Sequence, residues 1–296
     1  MSTGPAGHVA RSTSGPYSET HGAARDGARD GAREATRGAG SSRTFLRTAD
    51  GVPIDSVYEP GEVVHGGSGA GNSGLVFVVA HGFTGDADRP HVRRVARALT
   101  RYGGVVTFSF RGHGASGGRS TVGDREVLDL AAAVGWAREL GHARVVTVGF
   151  SMGGSVVLRH AADGARAGVD AVVSVSAPAR WFYRGTAPMR RLHWLVTRPA
   201  GRLVGRYGLR TRIHHRRWDP VPLSPVEAVP RIAPTPLLIV HGDRDGYFPL
   251  DHPRMLAAAA GEGGELWVEA GMGHAENAAP EGLLRRIGDW AVARAG

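Results

Sequence analysis

From Thr44 onward the chain alternates between two apolar patterns. One is a short, mostly apolar run rich in β-branched side chains, found at 75–80, 105–110, 145–148, 171–175, 236–240 and 266–269. The other recurs every three to four residues and fills about 89–101, 124–140, 152–163, 251–260 and 279–293. A mostly apolar run suits a strand buried on both faces, and strands alternating with helices suit parallel crossovers. Residues 44–48 and 52–58 flank Asp50-Gly51, which reads as a hairpin. The expected fold class is α/β: a mostly parallel central sheet with helices on both faces and an antiparallel hairpin at one edge.

Two stretches depart from this rhythm. Residues 1–43 hold Gly, Ala, Ser, Arg and short acids, with a Gly-Ala-Arg-Asp unit repeating from Ala24 to Glu34. Such a segment cannot bury enough apolar area to offset its ordering entropy, so a disordered tail is expected, followed by one domain over 44–296. Between Ala177 and Ala233 no strand pattern is present. Leu192, Leu195, Val196, Leu203 and Tyr207 recur at helical spacing there, with Pro199 suited to a first turn and Gly208 to a helix end. This stretch is expected to form a short helical cap, inserted at about 180–232 over the carboxyl edge of the sheet.

Gly-x-Ser-x-Gly occurs twice, at Gly149–Gly153 and Gly114–Gly118. A nucleophilic serine needs a tight strand-to-helix turn that exposes its hydroxyl and aims backbone N–H groups at the same point. Ser151 directly follows the 145–148 run and opens a helical pattern, whereas Ser116 lies in a glycine-rich loop with no helix behind it. Ser151 is therefore the candidate nucleophile. Two Gly-x-Gly-x-x-Gly runs, Gly69–Gly74 and Gly112–Gly117, both lack the strand–turn–helix context of a dinucleotide site.

A serine hydroxyl needs a base, and the base needs a carboxylate to orient it. His241-Gly242-Asp243-Arg244-Asp245 follows the 236–240 run, and His274 follows the last one, so the order is Ser, acid, His. His274 is the candidate base. Both Asp243 and Asp245 are available; Asp245, further along the loop, is the expected partner, with Asp243 capping the turn. An oxyanion would be met by the backbone N–H of Met152 and by that of Phe83, in the loop His81-Gly82-Phe83-Thr84-Gly85.

Composition narrows the chemistry further. The 296 residues include no cysteine, which removes disulfide scaffolds, thiolate metal sites and cysteine nucleophiles together. All 36 basic residues are arginine, so no Walker-type Gly-Lys-Ser/Thr exists. The net charge is +9, yet arginine in place of every lysine points to coding bias, and no nucleic-acid-binding module is visible. Neither a signal-like leader nor an apolar run of about 20 residues is present, so no stable membrane insertion and a cytoplasmic location are expected.

Taken together, 44–296 resembles the α/β-hydrolase superfamily, and within it the capped serine esterases, monoglyceride lipases and serine-aminopeptidase-like hydrolases. The matching pieces are His81–Gly85, Arg111–Ser116, Gly149–Gly154, His241–Asp245 and Gly273-His274, in that order. The resemblance implies an α/β-hydrolase fold with Ser151, Asp245 and His274 as a triad and Phe83 and Met152 as oxyanion donors. It gives Arg111–Ser116 a structural place beside the site, and it implies a small-molecule acyl substrate with no metal and no cofactor. Serine at the elbow argues against the dehalogenase and epoxide-hydrolase branches, which use aspartate there.

The leading functional expectation is hydrolysis of a carboxylic ester of small or medium acyl chain through an acyl-enzyme. Acyl transfer or peptide hydrolysis by the same triad, or a non-catalytic ligand binder on the same fold, are the alternatives. Trp181, Phe182, Tyr183 and Phe248, with Tyr247, are candidates for an acyl pocket. Arg198, Arg202, Arg206 and Arg210 recur every four residues, as if on one helical face, within a stretch that has no acid between Asp170 and Asp219. That face is either a solvated outer surface of the cap or a surface that attracts anions or membranes. The oligomeric state is left open.

Overall fold

The computed structural model describes residues 40–62 and 74–295. The tail reading of residues 1–39 and the glycine run from Gly69 to Ser73 lie outside the described residues. Eight strands form one sheet: β1 (Ser42–Arg47), β2 (Pro53–Glu59), β3 (Leu75–Ala80), β4 (Gly104–Phe108), β5 (Arg144–Phe150), β6 (Ala171–Val175), β7 (Leu237–Gly242) and β8 (Gly264–Glu269). Their order is β1-β2-β4-β3-β5-β6-β7-β8. Strands β1 and β2 pair antiparallel, β2 pairs antiparallel with β4, and β3 to β8 are parallel. β1 begins ahead of the boundary drawn from composition, because Ser42 already pairs with Tyr58.

Nine α-helices accompany the sheet among the described residues: α1 (Pro90–Leu99), α2 (Glu126–Glu139), α3 (Met152–Ala161), α4 (Ala187–Thr197), α5 (Pro199–Gly208), α6 (Pro225–Ala228), α7 (Asp251–Ala260), α8 (Ala275–Ala278) and α9 (Glu281–Arg294). The strand side chains divide with the two-residue period of a strand. Val76 and Val78 of β3 pack on one face with Leu130 and Val134 of α2, Val157 of α3 and Leu256 of α7. Leu75, Phe77 and Val79 pack on the other with Val95 and Leu99 of α1 and Leu284 and Ile287 of α9. Both faces are thus covered, which is why these strands read as mostly apolar runs.

β4 stops at Phe108, short of the 105–110 run. The N–H of Phe110 leaves the sheet and donates to His81 Nε2 at 3.0 Å. The four-arginine helical face expected in the 177–233 interval does not form. Arg198 takes an extended conformation between α4 and α5, as the residue before Pro199 is disposed to do, and Arg210 lies past the helix end at φ +53°. Only Arg202 and Arg206 of the four stand on α5.

The order of the strands places the loops that matter. The chain moves outward from β3 to β4 and then returns across β3 to β5, so the loops leaving the carboxyl ends of β3 and β5 separate and open a crevice. The loops after β7 and β8 end on the same edge, since all four strands run parallel.

Candidate active site

Ser151 stands between β5 and α3 with φ +51° and ψ −112°, a conformation strained for a residue with a Cβ. The turn is anchored by the Ser151 N–H donating to the Val175 carbonyl at 2.8 Å. It closes tightly enough that a Cβ on Gly149 would run into the Gly153 backbone, and one on Gly153 into that of Ala80. Glycine at both flanks of Ser151 is therefore a packing requirement of the turn.

The loops after β7 and β8 bring two further side chains to this turn. His274 Nε2 lies 2.9 Å from Ser151 Oγ, and His274 Nδ1 lies 2.7 Å from Asp245 Oδ2. The Asp245 side chain is fully buried, and its Oδ1 accepts the N–H groups of Tyr247 at 2.8 Å and Phe248 at 3.1 Å. Burial pushes the Asp245 carboxyl up, but His274 and these two N–H groups outweigh it and hold the pKa below the ordinary carboxylate value. Asp243 faces elsewhere: its Oδ1 accepts the Gly271 N–H at 2.6 Å and ties the β7 loop to the β8 loop. An imidazole held by a buried carboxylate and bonded to a hydroxyl is able to take the hydroxyl proton and stabilise the charge it acquires.

The loop 81–85 passes the same serine: a Cβ built on Gly82 would sit 3.4 Å from Ser151 Cβ. The Phe83 and Met152 N–H groups donate to no acceptor among the described residues, and Met152 opens α3, where helical N–H groups have no partner within the helix. The loop is clamped by residues far away in sequence. Glu276, at the start of α8 and 3% exposed, accepts the Gly82 N–H at 2.8 Å. His113 Nε2 accepts the Thr84 N–H at 3.3 Å while its Nδ1 donates to the Arg111 carbonyl at 3.0 Å. His81 accepts from Phe110 through Nε2 and so donates to the Gly82 carbonyl through Nδ1, at 2.7 Å. Sequence reasoning does not single out Glu276, His81 or His113; only the 81–85 and 111–116 motifs hint at the two histidines.

Both clamping imidazoles must be neutral to accept these N–H groups. Burial lowers the pKa of His81 to about 3 and that of His113 to about 4, against 6.5 when exposed. A depressed folded-state pKa stabilises the fold above the unfolded value and loses that contribution as pH falls toward the folded one. The midpoint of thermal unfolding is therefore expected to drop steeply between about pH 6.5 and pH 4. His113→Gln, which cannot be charged, is expected to flatten part of that slope, and Tm measured against pH for both proteins checks it.

A cavity of about 560 Å³ opens in front of Ser151. Trp181, Phe182, Tyr183 and Phe248 all line it, and Phe182, 61% exposed, stands at its mouth. Tyr247 does not line it but lies flat against His274, ring centroids 4.2 Å apart. Trp218, which sequence reasoning does not single out, packs edge-on to Trp181 at 5.1 Å and donates from Nε1 to the Thr121 carbonyl at 2.7 Å. Leu192 and Val196 of α4 complete the apolar wall. Glu126 fixes the 120–123 loop, which also lines the cavity, by accepting from Ser120, Thr121 and Gly123 at 2.6–2.9 Å. Of the seven non-glycine residues with positive φ among the described residues, Thr84, Val122, Ser151, Ser176, Phe182 and Ala275 lie in or beside these loops. Such strain persists only where surrounding contacts enforce it.

A model of the alpha/beta hydrolase family matches residues 75–286. Among solved structures, the chain is similar to the Pyrococcus furiosus esterase Pf2001, at 23% identity and a TM-score of 0.65 over 86% of this chain and 93% of that one. XC6422 from Xanthomonas campestris, described as an a/b serine hydrolase without lid, matches at 21% identity and TM-score 0.58, over 87% of this chain and 95% of that one. The esterase domain of a Rhodothermus marinus protein matches at 19% identity and TM-score 0.59, over 86% of this chain and 100% of that one.

Proposed function

We propose, from the premise that the chain belongs to the alpha/beta hydrolase family, that it is a serine hydrolase cleaving carboxylic esters of small or medium acyl chain. The observation that carries this reading is the unbroken relay from Asp245 through His274 to Ser151, with spacings of 2.7 and 2.9 Å, at the wall of a largely apolar cavity. Esterases among the structures of similar fold support the same chemistry.

In the first step His274 Nε2 takes the Ser151 proton as Oγ bonds to the acyl carbon. Asp245 holds the proton of His274 on Nδ1 and stabilises the imidazolium. The Phe83 and Met152 N–H groups receive the developing oxyanion. Collapse of the intermediate breaks the bond to the alcohol oxygen, which leaves with the proton from His274. Water then repeats the sequence on the acyl-Ser151 ester, releasing the acid and restoring the hydroxyl. The α4–α5 insertion acts as a cap whose apolar side chains, with Trp181 and Phe248, receive the acyl chain.

The test is a panel of 4-nitrophenyl esters of two to twelve carbons beside matching anilides. Turnover of esters, with an optimum at short or medium chains, supports the reading. Turnover of anilides alone, or of neither class, contradicts it.

Glu276 acts here as a positioning residue. Its replacement by alanine frees the Gly82 N–H and slackens the loop that presents Phe83. The expected result is a loss in kcat of about 10- to 100-fold with a smaller change in KM, since an oxyanion donor acts chiefly in the transition state. Glu276→Gln, which keeps an acceptor, should restore most of it. Steady-state kinetics of both variants check this, and equal losses in the two would leave only a structural role for Glu276.

A further inference from the structure

The positive charge of this chain is concentrated in one segment. Residues 171–218 contain eleven arginines and no acid, while the rest of the chain has two more acids than arginines. A coding preference for arginine raises the count everywhere; it does not clear one segment of acids.

The structure turns part of that segment toward Ser151. Arg184, Arg216 and Arg217, with His214 and His215, line the 560 Å³ cavity, and among the described residues no Asp or Glu does. Two further arginines of the lining are already engaged. Arg180 meets Asp251 at 3.0 Å, and Arg202 donates to the Val196 and Thr197 carbonyls at the end of α4. The guanidinium groups of Arg184, Arg216 and Arg217 have no ion-pair, hydrogen-bond or ring partner among the described residues. Arg43, Arg93, Arg111, Arg138 and Arg286 each pair with a carboxylate, and other arginines unpaired among the described residues, such as Arg97, Arg166 and Arg254, lie outside the cavity lining. An apolar cavity with a reactive serine and three unpaired guanidinium groups suits a ligand that is apolar in part and anionic in part.

We propose that the substrate of this site is an ester bearing an anionic group several bonds from its scissile carbonyl, with Arg184, Arg216 and Arg217 as the counter-charge. This rests on Ser151 being the nucleophile and names the class of ester it serves. The apolar stem of the substrate lies among the aromatic side chains, and its anion meets donors whose fork geometry suits a carboxylate or a phosphate oxygen pair. The arginines bind substrate and transition state alike, so they act through KM.

The test compares matched esters that differ by one charge. On the acyl side these are the 4-nitrophenyl half-esters of adipate and suberate against the hexanoate and octanoate esters. On the alcohol side they are 4-carboxyphenyl butyrate against its methyl-ester derivative. The expected result is a preference in kcat/KM of about tenfold or more for the anionic member of at least one pair, diminished by about 0.5 M NaCl. In R216Q/R217Q, and separately in R184Q, the ratio of anionic to neutral kcat/KM is expected to fall, by about tenfold in the double variant, through a higher KM for the anionic ester. No anion preference in either pair, or an unchanged ratio in the variants, overturns the proposal. If neutral esters are turned over in a Ser151-dependent way without that preference, only the anionic specificity fails. If no ester is turned over and Ser151 does not react with a fluorophosphonate, the hydrolase reading fails with it.

Discussion

Replacing Ser151 by alanine is expected to lower kcat for 4-nitrophenyl ester hydrolysis by about 10⁵- to 10⁶-fold, the scale of nucleophile loss in serine hydrolases. The substitution removes one oxygen from a side chain whose hydrogen-bond partner is His274 Nε2, and it leaves the β5–α3 turn with the same backbone demands. The fold should persist, with Tm within a few degrees of the parent, because the glycines at 149 and 153 set the turn. Ser151, His274 and Asp245 are read as one unit, so their losses should not add. His274→Ala introduced into the Ser151→Ala background should cost little more. A rate that falls by only a few fold in Ser151→Ala would mean that another group carries the reaction.

Asp245→Asn is expected to lower kcat by about 10⁴-fold. The mechanism follows from what surrounds the carboxylate. Its Oδ1 accepts two backbone N–H groups, from Tyr247 and Phe248. An asparagine oxygen must take that place, since an amide NH₂ there would face two donors. The amide NH₂ then points at His274 Nδ1, which has to accept, and the ring proton moves to Nε2. In that tautomer His274 has no lone pair for the Ser151 proton. Asp243→Asn, on the carboxylate that holds Gly271 instead, should stay within about tenfold of the parent, since it touches the relay only through the loop. Comparable losses in both variants would show that the relay does not pass through Asp245. Because the Asp245 pKa is held below the ordinary carboxylate value, its charge persists in mild acid, and loss of activity near pH 5 would have another source.

The centre of the sheet is legible in the sequence because its strands are buried on both faces, so they are marked by composition alone, as Leu75–Ala80 and Ala171–Val175 are, whereas the exposed β1 is announced only by the Asp50-Gly51 turn beside it. The elbow is legible for the same reason: a buried strand, a glycine-flanked serine and a helical pattern follow one another without a gap. Less can be read where structure depends on distant pairing. β4 ends early because Phe110 donates to His81, a contact between separate loops. Glu276 meets Gly82 across 194 positions, and Trp218 meets Thr121 across 97. Nothing in a local window announces such partners. The four-residue α8 is too short to show a period. The arginine spacing misleads in the other direction, since it is periodic on paper but is cut by Pro199 and by the end of α5.

The central claim is that Ser151 is an activated nucleophile, and the most direct measurement is to treat the protein with a fluorophosphonate and locate the adduct by peptide mass spectrometry. The expected result is a single adduct on Ser151, absent in Ser151→Ala and formed far more slowly in Asp245→Asn. Ser116, in the other Gly-x-Ser-x-Gly, should stay unlabelled, because it is fully buried and its hydroxyl is bonded to the Ser109 carbonyl and the Asp55 N–H. No adduct, or labelling of Ser116 in place of Ser151, would contradict the account.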